Sequence, residues 1–153
     1  MRNLLPLVVL IGFGTALSVI DSRQHRLPNR LVAWFTMVQA GAVTSLSFGY
    51  FEQLLRTFAV ATLTAATYLA LFLLSRGSLG MGDVKFAFPL GLSIGWIAPD
   101  LWLPGIFLGF TGAGFVAAVG LATKRIKLTS HLAFGPYMFA GSLSICAYAI
   151  LPR

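Results

Sequence analysis

Four side chains carry all the negative charge of this 153-residue chain: Asp21, Glu52, Asp83 and Asp100. Asp21 directly follows an apolar run, Leu4–Ile20, and Asp83 directly precedes another, Val84–Ala98. Acidic groups are expensive at membrane depth, so each needs a reason. Two carboxylates brought together in a low-dielectric site cannot both ionise easily, and such a pair holds one proton between them. The ionised partner takes a proton from water while the protonated partner polarises a carbonyl. Peptide hydrolysis by that route needs neither a nucleophilic side chain nor a metal. Glu52 and Asp100 fall in short turns, where solvation, or for Asp100 a helix N-cap, is a sufficient explanation.

Local sequence leaves each of the other two acids with an alternative. Asp83 closes the stretch Gly80-Met81-Gly82-Asp83. The glycines allow a tight turn and close approach of a neighbour, but Asp83 fits equally as an N-cap of the helix that follows. Asp21 opens the stretch Asp21-Ser22-Arg23-Gln24-His25-Arg26-Leu27-Pro28-Asn29. A solvated acid paired with Arg23 or Arg26 suits it too. Pro28-Asn29 reads as a turn that starts the next helix.

The elements that must hold these groups follow from composition. Hydrophobic residues make up 58% of the chain and charged residues 10%, with a mean hydropathy of +0.86. A soluble domain carries roughly 25% charged residues. An ordinary water-soluble globule is excluded on polar surface, and disorder on apolar content. Cys146 is the single cysteine, which excludes an internal disulfide framework and a cysteine-rich zinc module. It reads as a small buried hydrophobe.

A helix crosses a bilayer with about 20 apolar residues. About six runs qualify: Leu4–Ile20, Leu31–Phe48, Leu54–Leu74, Val84–Ala98, Leu101–Ala122 and Leu132–Leu151. Continuous runs favour helices over barrel strands, which alternate apolar and polar residues. The expected fold is an all-α polytopic membrane protein, a bundle of about six transmembrane helices forming a single domain over residues 1–153. The first run is a retained helix rather than a signal peptide, since no small-residue cleavage site leads into a soluble domain. The fourth run is short, so it thins the bilayer or buries its start in the bundle.

Net charge is +7. The basic residues lie between apolar runs rather than on one face, which fits membrane topology and not nucleic acid. Three connections are basic: Asp21–Arg30, Arg76–Asp83 with Lys85 just beyond, and Thr123–Ser130 with Lys124, Arg125 and Lys127. With six spans all three fall on one side. The positive-inside rule puts that side in the cytoplasm, both termini outside, and Asp21 and Asp83 at the same cytoplasmic depth. Gly91/Gly95 and Gly105/Gly109 have the small-xxx-small spacing of close helix packing, here within one chain. Trp96 and Trp102 flank the Pro99–Asp100 turn as an interfacial belt.

These residues match a known family. Asp21 to Asn29, closed by Leu27-Pro28-Asn29, resembles the first aspartate motif of the type IV prepilin peptidases. Gly80-Met81-Gly82-Asp83-Val84-Lys85 resembles that family's GxGD motif and its following lysine. Phe134-Gly135-Pro136 resembles its third, helix-distorting motif. The resemblance covers nearly the whole chain. It implies an aspartic endopeptidase of the prokaryotic cytoplasmic membrane, with Asp21 and Asp83 catalytic and no cofactor. The implied substrate is a prepilin or pseudopilin, cut at the cytoplasmic face before its hydrophobic helix. Larger members carry a paired-cysteine segment tied to metal binding and N-methylation. This chain lacks it and is similar to the peptidase-only branch serving Flp, or tight-adherence, pili.

Other residues have smaller parts. Gly80, Gly82, Phe134, Gly135 and Pro136 are expected to shape or support the cleft. Lys85 holds Asp83, meets an acidic group on the substrate, or anchors the topology. His25 and His131 are solvated loop residues, and no metal is expected. Lys124, Arg125 and Lys127 anchor a loop near anionic lipid. The competing function is non-enzymatic: a small proton-coupled transporter or a pilus or secretion assembly subunit. The absence of an internal repeat and the span-end position of the acids weigh against a transporter.

Overall fold

The computed structural model of the protein describes residues 2–75, 79–124 and 133–151. Among these residues there is no strand; six α-helices and one 3-10 turn account for the ordered structure. The helices are α1 (Leu4–Gln24), α2 (Asn29–Leu46), α3 (Phe51–Leu74), α4 (Met81–Ile97), α5 (Trp102–Ala122) and α6 (Gly135–Ile150), with the 3-10 turn at Pro99–Leu101. Arg76, Arg125, Lys127, His131, Leu132 and Arg153, on which parts of the topology reading rest, lie outside the described residues.

Among the described residues, three segments are long and apolar enough to cross a membrane: Leu4–Gln24, Phe51–Leu74 and Pro99–Ala122. At 17 and 16 residues, α4 and α6 are shorter than the roughly 20 residues that span a hydrocarbon core. The order of the elements follows the apolar runs, but several ends move. α1 continues past Ile20 to Gln24, so Asp21 lies inside its last turn rather than after it. The helix stops where His25 turns left-handed, at φ 51°, with its N–H on the Asp21 carbonyl oxygen. α2 begins at Asn29 behind an extended Pro28, as the Pro-Asn pair predicts.

The shortness of the fourth run is resolved by burial. α4 is apolar almost all round and packs against α2, α3 and α6. Asp83, Val84, Phe86, Ala87 and nearly every residue from Pro89 to Trp96 are covered. A helix that is hydrophobic on every face belongs inside a bundle. Its closest neighbour is α3. A Cβ on Gly91 would meet the Ala61 Cα at 2.7 Å, and one on Gly95 would meet the Thr57 carbonyl oxygen at 2.7 Å. Thr57 also donates its hydroxyl to the Gly95 carbonyl at 3.2 Å. Without a hydrophobic drive between helices in lipid, such backbone-to-backbone approach supplies the packing energy. Gly105 and Gly109 do the same for α5 against α6, where they face Ile145 and the Tyr137–Met138 backbone. Both glycine pairs therefore pack within the chain.

The Trp96 expectation is corrected. Trp96 is 3% exposed and sits in a core cluster with Val43, Ala61 and Leu92. The Arg2 guanidinium lies over its ring and over Tyr50, and donates to the Leu46 carbonyl at the end of α2. Trp96 thus turns inward, covered by α2, α3 and the Arg2 guanidinium. Asp100 is a solvated turn acid, as expected, and pairs with Arg56; it is not a cap, since Leu101 holds the N-cap position of α5.

Replacing Gly91 or Gly95 by Ala forces backbone apart, and each change is expected to cost about 1–3 kcal/mol. Gly12→Ala and Gly114→Ala, where a Cβ meets nothing within 4 Å, should be neutral or gain up to about 1 kcal/mol from helix propensity. Denaturant titration in detergent micelles compares the four variants.

Candidate active site

Asp21 is placed by the last turn of α1 and is 5% exposed. Its Oδ2 accepts the Gly135 backbone N–H at 2.9 Å. Gly135 is the first residue of α6, and the N–H groups of a first helical turn have no partner within their own helix. They also sit at the positive end of the helix dipole, a natural seat for a carboxylate. Pro136 follows and brings no N–H of its own, so Gly135 supplies the donor at this point. The fit also requires glycine, because a Cβ there would stand 2.8 Å from Asp21 Oδ2.

Asp83 is the third residue of α4 and is 9% exposed. It is not the N-cap; Gly80 holds that position. Asp83 Oδ2 instead reaches back to accept the Gly80 N–H at 3.1 Å, while the Asp83 N–H donates to the Gly80 carbonyl at 3.0 Å. Both acids are therefore fixed by a backbone N–H at a helix start. They lie at one end of the bundle, within reach of each other's charge. Neither carboxylate makes an ion pair among the described residues, where the salt bridge is Arg56–Asp100. The pairing of Asp21 with Arg23 or Arg26 is accordingly replaced by the Gly135 bond.

The other sequence candidates gather around these two. Gly82 faces the connection between α1 and α2, with Leu27 Cβ 3.2 Å from where its own Cβ would be. Lys85 does not hold Asp83. It is exposed, and its Nζ donates to Asn29 Oδ1 at 3.0 Å, tying α4 to the first residue of α2. Phe134 packs its ring on Phe110, at 4.7 Å between centroids, and on Tyr68, at 6.2 Å. Pro136 is half-buried in the first turn of α6. Among the described residues no group of three His, Cys, Asp or Glu side chains could hold a metal. His25 is exposed, and Cys146 is buried.

Two neighbours escaped the reading of motifs. Tyr68, 2% exposed on α3, interacts electrostatically with Asp83. A tyrosine inside the apolar run Leu54–Leu74 was the signal that could have found it. Ser18, one turn before Asp21 on α1, has a buried hydroxyl oxygen with no partner among the described residues. Nothing in its local sequence marks it.

Long apolar helices around two buried, backbone-anchored carboxylates define a helical protein with an acid pair at one end of its bundle. The profile of the type IV leader peptidase family matches residues 8–151, and the chain belongs to that family. It is thus a protease of the type IV leader peptidase kind. Searches of curated proteins and of solved structures return no match.

Gly135→Ala should push the Asp21 carboxylate out of place. Misplacement of a reacting group by about 1 Å costs on the order of 100-fold in rate. Cleavage of a leader-bearing peptide is expected to fall by about that factor, with helical content by circular dichroism unchanged.

Proposed function

We propose that the chain is a membrane-embedded aspartic endopeptidase that crosses the bilayer six times and removes the leader of a prepilin or pilin-like protein. Asp21 and Asp83 carry the chemistry. The observation that supports this most is their placement: two covered carboxylates from α1 and α4, at one end of the bundle, each with one oxygen taken by a helix-start N–H. The remaining oxygens take no hydrogen bond among the described residues and are free to bind water and substrate.

The steps follow from a pair sharing one proton. The ionised carboxylate takes a proton from water as the water oxygen attacks the scissile carbonyl carbon. The other carboxyl donates its proton to the carbonyl oxygen, giving a neutral tetrahedral diol. Collapse returns a proton from that diol to the pair, while the leaving amine takes the proton the first carboxylate gained. The peptide bond breaks, the pair again holds one proton, and no covalent intermediate forms.

The basic connections support a cytoplasmic position for the site, with Arg23, Arg26, Arg30 and Lys85 on the acid-pair side of the helices. A pilin-type substrate has its apolar helix beside the cut, so a site at the end of membrane helices leaves that helix in lipid while the leader reaches the carboxylates. With one cysteine in these residues, the proposal is peptidase activity without methyl transfer.

Asp21→Asn and Asp83→Asn are each expected to abolish leader cleavage in detergent, while both variants insert and keep their helical content. Retained cleavage in either would remove that residue from the mechanism. EDTA should leave the rate unchanged; strong inhibition reversed by zinc would replace the acid pair with a metal.

A further inference from the structure

α3 and α4 pack antiparallel in a regular register. Thr57 stands against Gly95, and Ala61 and Thr64 stand against Gly91. Residues four apart on a helix share a face, and stepping back by four from Gly95 and Gly91 leads to Ala87 and then Asp83. The matching face of α3 carries Thr57, Ala61, Thr64 and then Tyr68, all of them buried. The register therefore brings Tyr68 to the Asp83 end of α4, where the phenol and the carboxylate feel each other's charge.

Packing accounts for the ring and leaves the hydroxyl unexplained. The Tyr68 ring stacks on Phe110, at 5.6 Å between centroids, and tilts against Phe134. Phenylalanine would make both contacts. The hydroxyl is the polar tip of an otherwise covered ring and is not among the buried atoms left without a partner; such a tip ordinarily finds a hydrogen-bond partner. Among the described residues Tyr68 makes no hydrogen bond. At the same end of the α3–α4 pair, Asp83 has Oδ2 occupied by Gly80, while its Oδ1 takes no hydrogen bond among the described residues. A spare donor and a spare acceptor at one end of a helix pair suit an unliganded site whose bonds tighten when substrate binds.

We propose that Tyr68 is a positioning residue of the active site, its phenolic O–H donating to Asp83 Oδ1 and so fixing, with Gly80, both oxygens of that carboxylate. The proposal rests on the acid-pair reading. Two bonds fix the carboxylate plane where one leaves it free to rotate about the Cβ–Cγ bond. Through Phe134 the same side chain also touches the segment that delivers Gly135 to Asp21. Tyr68 therefore coordinates the settings of both acids from a third helix.

The test compares full-length wild type, Tyr68→Phe and Asp83→Asn in detergent on one leader-bearing pilin peptide, with kcat and KM measured separately. Tyr68→Phe keeps the ring and should lower kcat by about 10- to 100-fold while KM stays within about twofold. A fourth protein carrying 3-fluorotyrosine at position 68 keeps the donor and should restore kcat to near the wild-type value. Wild-type kinetics in Tyr68→Phe would overturn the proposal. So would a loss that fluorotyrosine fails to restore, which would mark a packing role. If Asp83→Asn cleaves normally, the acid-pair reading itself has failed. A dead Asp83→Asn beside an unaffected Tyr68→Phe sinks the tyrosine proposal alone.

Discussion

Covering a carboxylate in an apolar bundle demands a hydrogen-bond donor that the surrounding side chains do not offer. Here the backbone provides it twice. The start of every α-helix has N–H groups without internal partners, and the two covered acids each take one. The two cases differ in reach. Asp83 is bound by Gly80 of its own helix start, so local geometry sets its orientation. Asp21 is bound by Gly135 from the far end of the chain, so its orientation depends on how α1 meets α6. That meeting is tight: Phe139 of α6 covers Gly14 of α1, about two turns before the acid.

α4 occupies the middle of this arrangement because it has no face that prefers lipid. Small residues on its α3 side let the two backbones approach. Its start is fixed by Leu27 against Gly82 and by the Lys85–Asn29 bond. The helix carrying Asp83 is thereby located along its axis by α3 and around its end by the α1–α2 connection. A carboxylate on such an element has little freedom beyond its own χ angles, which suits the catalytic part proposed for it.

The order of the helices was legible in the sequence; rotation about each helix was not. Hydropathy runs give the helices in order, and the charged breaks between them set Asp21 and Asp83 at run ends. In lipid, however, core-facing and lipid-facing residues are alike apolar. Phe107 and Phe115 of α5 are exposed, whereas Phe35 and Phe86 are fully covered, and no periodicity distinguishes them. For that reason Trp96 was read as an interfacial anchor when it points inward, and Tyr68 was passed over in an apolar run. Spacing alone also left the partners undecided. Lys85 is two residues from Asp83 and bonds Asn29 instead, while the donor to Asp21 lies 114 positions away. The glycine-aspartate and Phe134-Gly135-Pro136 motifs were visible as patterns, yet their shared function as helix starts that grip acids is a property of three dimensions.

The Gly135 bond imposes an order in time. α1 is synthesised well before α6, so Asp21 lacks its Gly135 donor until α6 has been made and has docked against α1. A half-synthesised molecule holds one finished acid and one unfinished one. The proposed acid pair is complete only once these two separated segments have met.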